Sequence, residues 1–130
     1  MARHFTVDEA NALLPILTPV IQGIQTLHRQ MMELVQDIAE FETRAAGNGH
    51  GEGTDVISPN RSLHKVRREI EQRLSYLQGV GVQLKDADEG VVDFPSRMFD
   101  REVYLCWRLG EPSVAHWHDT ESGFGGRQPL

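Results

Sequence analysis

The sequence predicts an α+β fold: a long antiparallel helical hairpin followed by a small antiparallel β-meander. Three observations predict it. An apolar seam with alternating spacings of four and three residues runs through the first third of the chain. A shorter amphipathic stretch follows a glycine-rich break. From Val82 onward, short apolar–polar alternations are separated by turn residues.

The first helix is expected over residues 7–44. Thr6 is its N-cap, and Glu9, three residues on, completes a capping box. Phe5 precedes the cap as a hydrophobic staple. Asp8 and Glu9 sit in the first turn, where the helix dipole favours carboxylates. Leu13, Leu17, Val20, Ile24, Leu27, Met31, Leu34, Ile38 and Phe41 form a heptad seam, widened by Leu14, Ile21 and Val35. Pro15 predicts a kink within the first two turns. At ~1.5 Å per residue such a helix is roughly 55 Å long.

Residues 45–57 are rich in glycine and polar side chains and read as a flexible loop, with His50 solvated within it. The second helix is expected over 58–79. Ser58 is its cap and Pro59 its first position. Leu63, Val66, Ile70, Leu74 and Leu77 form its apolar face, and Gly79 and Gly81 end it. The meander spans 82–119, with strands over 82–85, 91–94, 101–107 and 114–118. Asp88-Glu89-Gly90 and Gly110-Glu111-Pro112 are turns, and Pro95 ends the second strand. The tail, 120–130, reads as irregular. Residues 1–130 are taken as a single domain.

Composition narrows the function. The chain has 130 residues and a formal charge of −6, which argues against general nucleic-acid binding. It has no apolar run long enough for a membrane span and no secretory signal pattern, so a cytoplasmic protein is expected. Its lone cysteine, Cys106, excludes an internal disulfide and a zinc ribbon built on cysteines.

The last hairpin carries the chemistry. Residues two apart on a strand share a face. A short loop pairs Cys106 with His116 and Tyr104 with His118, and places Glu102 near the end of the last strand. One face then holds Val103, Leu105, Trp107, Ala115 and Trp117 and packs on the helices. The other holds Glu102, Tyr104, Cys106, His116 and His118. Two imidazoles, a thiol and a carboxylate are transition-metal ligands, and Asp119 follows as a further carboxylate. The competing reading is that these histidines are half-buried and satisfied by backbone carbonyls, with Cys106 a small buried hydrophobe. A one-residue slip in register would reverse the faces.

Other constellations carry less. Cys106 with His116 is a nucleophile–base pair on paper, yet a cysteine between Leu105 and Trp107 in a strand is usually structural. Asp93 and Glu102 are paired carboxylates only if the fold joins them. Gly123 to Arg127 offers backbone amides and a guanidinium to a phosphate or carboxylate, but does not join a strand to a helix as a P-loop does. His28 and His64 approach each other only if the two helices pair in a suitable register.

The second helix is too short to cover the first, which leaves apolar surface near Leu27 to Phe41. A homodimer through helix 7–44 is the economical partner.

The sequence also resembles a known bacterial family, "domain of unknown function 2203". The resemblance is carried by the opening Phe5-Thr-Val-Asp-Glu-Ala-Asn-Ala-Leu-Leu-Pro15 and by a closing block. That block comprises Leu84-Lys-Asp, Gly90-Val-Val-Asp-Phe-Pro95, Arg101-Glu-Val-Tyr-Leu-Cys-Trp107, Leu109-Gly-Glu-Pro112, Trp117-His-Asp119 and Gly123-Phe-Gly-Gly-Arg127. The resemblance implies a small bacterial cytoplasmic protein and supplies no activity. The family pattern includes Cys106 and the Trp117-His118-Asp119 stretch but not His116. It thereby implies His118, Cys106, Glu102 and Asp119 as the preferred ligand set.

The resulting expectation is a metal-binding protein, holding zinc, iron or a haem on the polar face of the last hairpin. The ligands are His118, His116, Cys106, Glu102 and Asp119, and a small ligand is held by Tyr104 and Arg127. The alternative is a non-catalytic homodimeric coiled-helix interaction module.

Overall fold

The capping box starts the first helix. In the computed structural model, which describes residues 3–48 and 57–130, the Glu9 backbone N–H donates to Thr6 Oγ1 at 3.1 Å. The Thr6 N–H donates to Glu9 Oε1 at 3.0 Å. The bond from the Thr6 N–H, with a second from the Thr6 hydroxyl, holds the Glu9 carboxyl below its ordinary range. Helix α1 runs over Val7–Asn48, four residues beyond the expected end, and stays helical through Pro15 and Pro19. Helix α2 covers Ile57–Val80, starting one residue before Ser58. The rest of the expected 45–57 loop, His50 included, lies outside the described residues.

Helix α2 runs through Gly79 to Val80, one residue beyond the expected end, and is stopped by Gly81. Gly81 takes φ +100°, its N–H reaches Gln78 O at 3.1 Å, and the Val82 N–H reaches Leu77 O at 3.2 Å. This is a Schellman ending, and the left-handed residue is a glycine because no Cβ obstructs it. The two helices are antiparallel: Gly23 of α1 faces Arg73 of α2 so closely that a Cβ at Gly23 would lie 2.6 Å from the guanidinium.

Five antiparallel strands follow in meander order: β1 Gln83–Asp86, β2 Val91–Met98, β3 Arg101–Arg108, β4 His116–Asp119 and β5 Gln128–Pro129. The arrangement is α+β, as the periodicities predict. The inner sheet face supplies Val92, Phe94, Val103, Leu105, Trp107 and Trp117 to a core shared with Phe5, Leu14, Leu17, Ile21 and Ile24 of the α1 segment. Burying each such large side chain contributes about 1.5–3 kcal/mol. Among the described residues, no helix is long and apolar enough to cross a membrane.

Three expectations are corrected. Strand β2 does not stop at Pro95 but runs on to Met98. Pro95 accepts a bond from the Phe5 N–H at its carbonyl, 2.7 Å away. In a strand, a residue's N and C=O face the same side, so the missing N–H of Pro95 points away from β3. It also lies beyond the reach of β1, which pairs only with Val91–Asp93. Ala115 is exposed, and Val114 is buried in its place because the chain enters β4 only at His116. The tail is not irregular: it forms a 3₁₀ turn at Phe124–Gly126 and then pairs as β5 with β4.

The seam of α1 is also covered more fully than its length predicts. Leu27 is buried, and Met31, Leu34, Ile38 and Phe41 are half-buried, while Met32 and Val35 are exposed.

Candidate metal centre

Strand pairing builds the site. The β3–β4 register pairs Tyr104 with His118 and Cys106 with His116, as the short connection predicts. The β2–β3 register adds a residue from a third strand, because Asp93 lies directly opposite Cys106. Asp93, Cys106 and His118 therefore meet on the outer face of the sheet, away from the helices. Each is nearly inaccessible, at 2%, 0% and 3% relative exposure.

The geometry is tight. His118 Nε2 lies 3.0 Å from both carboxylate oxygens of Asp93. On the other side of the ring, Nδ1 lies 2.7 Å from the Asp119 carbonyl. A carbonyl only accepts, so Nδ1 carries a proton and donates it, and Nε2 is the nitrogen turned toward Asp93. The Cys106 thiol donates to Asp93. Burial pushes that thiol up to about 12, and the adjacent Asp93 charge adds to the rise. One donor atom each from Asp93, Cys106 and His118 lies within 4.8 Å of the others, the one such group of three found among the described residues.

The tail buries this group. Asp119 Oδ1 accepts from the Ser122 N–H at 2.7 Å, the Ser122 hydroxyl at 2.8 Å and the Glu121 N–H at 3.0 Å. These bonds, the Ser122 N–H first, hold the Asp119 carboxyl low and reverse the chain over the outer face. Arg127 then pins the strap. Its guanidinium bonds Glu111 Oε1 at 2.8 Å, approaches His116 Nδ1 at 3.0 Å and reaches the Cys106 carbonyl at 3.3 Å. It also stacks over the Phe124 ring at 4.4 Å. Burial alone would raise the Glu111 carboxyl; the bonds from Arg127 and the Arg108 N–H outweigh it and hold it low.

The expected ligand residues thus separate. His118 and Cys106 come together. His116 faces Arg127 and Glu111 instead. Glu102 is exposed and pairs with His4 at 3.2 Å. Asp119 caps the tail turn and enters the site through its backbone carbonyl. Tyr104 stays beside the group, its ring centroid 5.5 Å from that of His118. Arg127 holds the strap rather than facing the group's donor atoms. The second helix's His64 meets Arg68 at 3.1 Å. Asp93 and Glu102 are not neighbours, since Glu102 is opposite Arg97.

Asp93 was absent from the expected ligand set because the β2–β3 turn carries no glycine signal. A two-residue turn at Phe99-Asp100 sets that register. Five residues back from Met98 is Asp93, and five on from Arg101 is Cys106. An aspartate inside an apolar strand was the available clue, since strands disfavour it.

A cleft of about 330 Å³ leads to the group, lined by Lys85, Tyr104, Asp93, His118, Ser122 and Phe124 among others. The fold and this site define an α+β protein with a buried His–Asp–Cys group under a C-terminal strap. The chain belongs to the family described as uncharacterized conserved protein (DUF2203), whose profile matches residues 3–130. No curated protein and no solved structure matches it.

Proposed function

We propose that this protein binds a transition-metal ion through Asp93, Cys106 and His118. The observation that carries the reading is the convergence of a carboxylate oxygen, a thiol sulfur and an imidazole nitrogen within 4.8 Å, all buried. Nitrogen and thiolate donors together favour zinc or iron over magnesium or calcium. The Nδ1–H bond to the Asp119 carbonyl supports the same reading, because it orients the ring and leaves Nε2 as the donor. The three donors converge on one another beneath the strap, which favours a bare ion over a haem. Three protein ligands leave a coordination position for water or a small ligand, the arrangement in which a metal polarises what it binds.

Elemental analysis of untagged protein, purified without chelator, tests this. One zinc or iron per chain is expected, with zinc affinity at least about tenfold weaker in Cys106→Ser. Circular dichroism of that variant must stay native, so that the loss is read as lost coordination. Folded wild-type protein that neither carries nor takes up zinc or iron overturns the reading.

A second reading, a homodimeric interaction module, draws on one observation. Met32 and Val35 are 55% and 40% exposed along α1. We propose self-association through this face, expected as a dimer by sedimentation and lost in Val35→Glu.

A further inference from the structure

We propose that the cleft over the buried group binds a small organic carboxylate, with Lys85 and Tyr104 holding its anionic end. This rests on the metal reading and names the ligand class for the same site.

Lys85, Tyr104 and His118 stand in a row. The Lys85 ammonium lies 5.8 Å from the Tyr104 ring centroid, and that ring lies 5.5 Å from the His118 ring. All three line the cleft of about 330 Å³, which Asp93 also lines. A neighbouring hollow of about 390 Å³ shares Lys85, Val91 and Phe124, so ligand-sized space continues past the lysine.

The chain carries a net charge of −6, yet Lys85 has no carboxylate partner among the described residues. Three nearby acids are engaged elsewhere, while Glu121 lines the cleft. Asp86 accepts from the Asp88 and Glu89 N–H groups. Glu89 pairs with Arg108. Asp119 caps the tail turn. The Tyr104 hydroxyl likewise has no hydrogen-bond partner among the described residues. An exposed lysine without a carboxylate partner and a tyrosine hydroxyl without a hydrogen-bond partner among the described residues therefore line the cleft beside a metal-type donor set.

The chemistry selects a carboxylate over a phosphate. There is one unpaired cation, and Asp93 and Glu121 also line the cleft. With an ion bound, Asp93 and the Cys106 thiolate offset its two charges and Lys85 is the cleft's remaining cation, so a singly charged planar group matches one ammonium and one phenol, whereas a dianion would carry a charge with no partner and face Glu121. Arg127, the other cation of the tail, is already held by Glu111.

Cobalt-loaded protein titrated with glycolate tests the proposal, because cobalt d–d absorption reports both metal uptake and ligand entry. Glycolate is expected to shift the bands saturably and to bind more tightly than inorganic phosphate. Lys85→Gln should weaken glycolate about tenfold, and Tyr104→Phe should weaken it less, both with cobalt stoichiometry unchanged. Normal cobalt uptake with no response to glycolate overturns the carboxylate assignment and leaves the metal reading standing. Tighter phosphate, or Lys85→Gln equal to wild type, overturns it too. Failure to take up cobalt removes the metal reading and the ligand assignment with it.

Discussion

His118 is held between two acceptors: its Nε2 faces both oxygens of Asp93 at 3.0 Å, while its Nδ1 faces a backbone carbonyl at 2.7 Å. The ring cannot rotate without losing one of these bonds. It is thus oriented before any ligand arrives, by Asp93 on β2 and by the Asp119 carbonyl at the end of its own strand β4. Such a buried pair is costly to break from one side only. Removing His118 leaves the Asp93 carboxylate buried with the neutral Cys106 thiol as its remaining donor. His118→Ala is expected to lower stability by about 3–5 kcal/mol, read by urea denaturation. A loss below about 1 kcal/mol would mean the pair is solvated in solution.

Cys106 should be inert in the folded, metal-free protein. Its side chain is fully buried, and burial together with Asp93 pushes the thiol up to about 12. A neutral aromatic disulfide reagent at pH 7 is expected to label it slowly, and rapidly after unfolding in guanidinium. Arg127→Ala should speed the native-state labelling, because Arg127 pins the strap to Glu111 and to the Cys106 carbonyl. Equal labelling rates in the two proteins would show that the strap does not guard the thiol.

Glu111 gives the strap a pH dependence. Its folded carboxyl is held below the ordinary range. A depressed carboxyl contributes stability above its unfolded pKa, near 4.3, and loses it as pH falls through the folded value. Glu111→Gln should therefore cost about 1–2 kcal/mol at neutral pH, with the gap to wild type closing below about pH 4. Thermal melts across that range read the difference directly. A gap that stays constant with pH would contradict the ionic role.

Gly90 is required at its turn. It has φ +72°, and a Cβ there would lie 2.7 Å from Leu109 Cβ and 3.2 Å from Ile21 Cγ2. Gly90→Ala is expected to cost about 2–4 kcal/mol in chemical denaturation, from backbone strain together with overpacking.

The β2–β3 turn runs the other way. Phe99 and Asp100 both take positive φ, 56° and 59°, in a two-residue hairpin loop. That conformation is the one for which Asn-Gly is preferred. The double change Phe99→Asn, Asp100→Gly should stabilise the protein by about 1 kcal/mol, offset in part by the lost contact between Phe99 and Trp117.

The same turn explains what the sequence concealed. The start of α1 and the stop of α2 were legible because Thr6, Glu9 and Gly81 act locally, whereas α1 runs four residues past its expected end. The β3–β4 register was legible because a short Gly110-containing turn joins alternating strands. The β2–β3 hairpin was not, since Phe-Asp lacks the glycine or asparagine that marks such a turn, and with it went the pairing of Asp93 with Cys106. Proline misled in the same region: Pro95 ends a strand only where its N–H would be needed, and here that side faces the Phe5 segment. The strap was invisible for a different reason. Gly123–Arg127 has no periodicity, and its order comes from Asp119 and Glu111, residues outside the segment that reads as tail.

X-ray absorption at the metal edge of the zinc-loaded protein tests the central claim most directly. The account predicts one sulfur scatterer at about 2.3 Å and nitrogen or oxygen scatterers at about 2.0–2.2 Å, with the sulfur shell lost in Cys106→Ser. A metal bound through oxygen and nitrogen alone, unchanged in that variant, would contradict it.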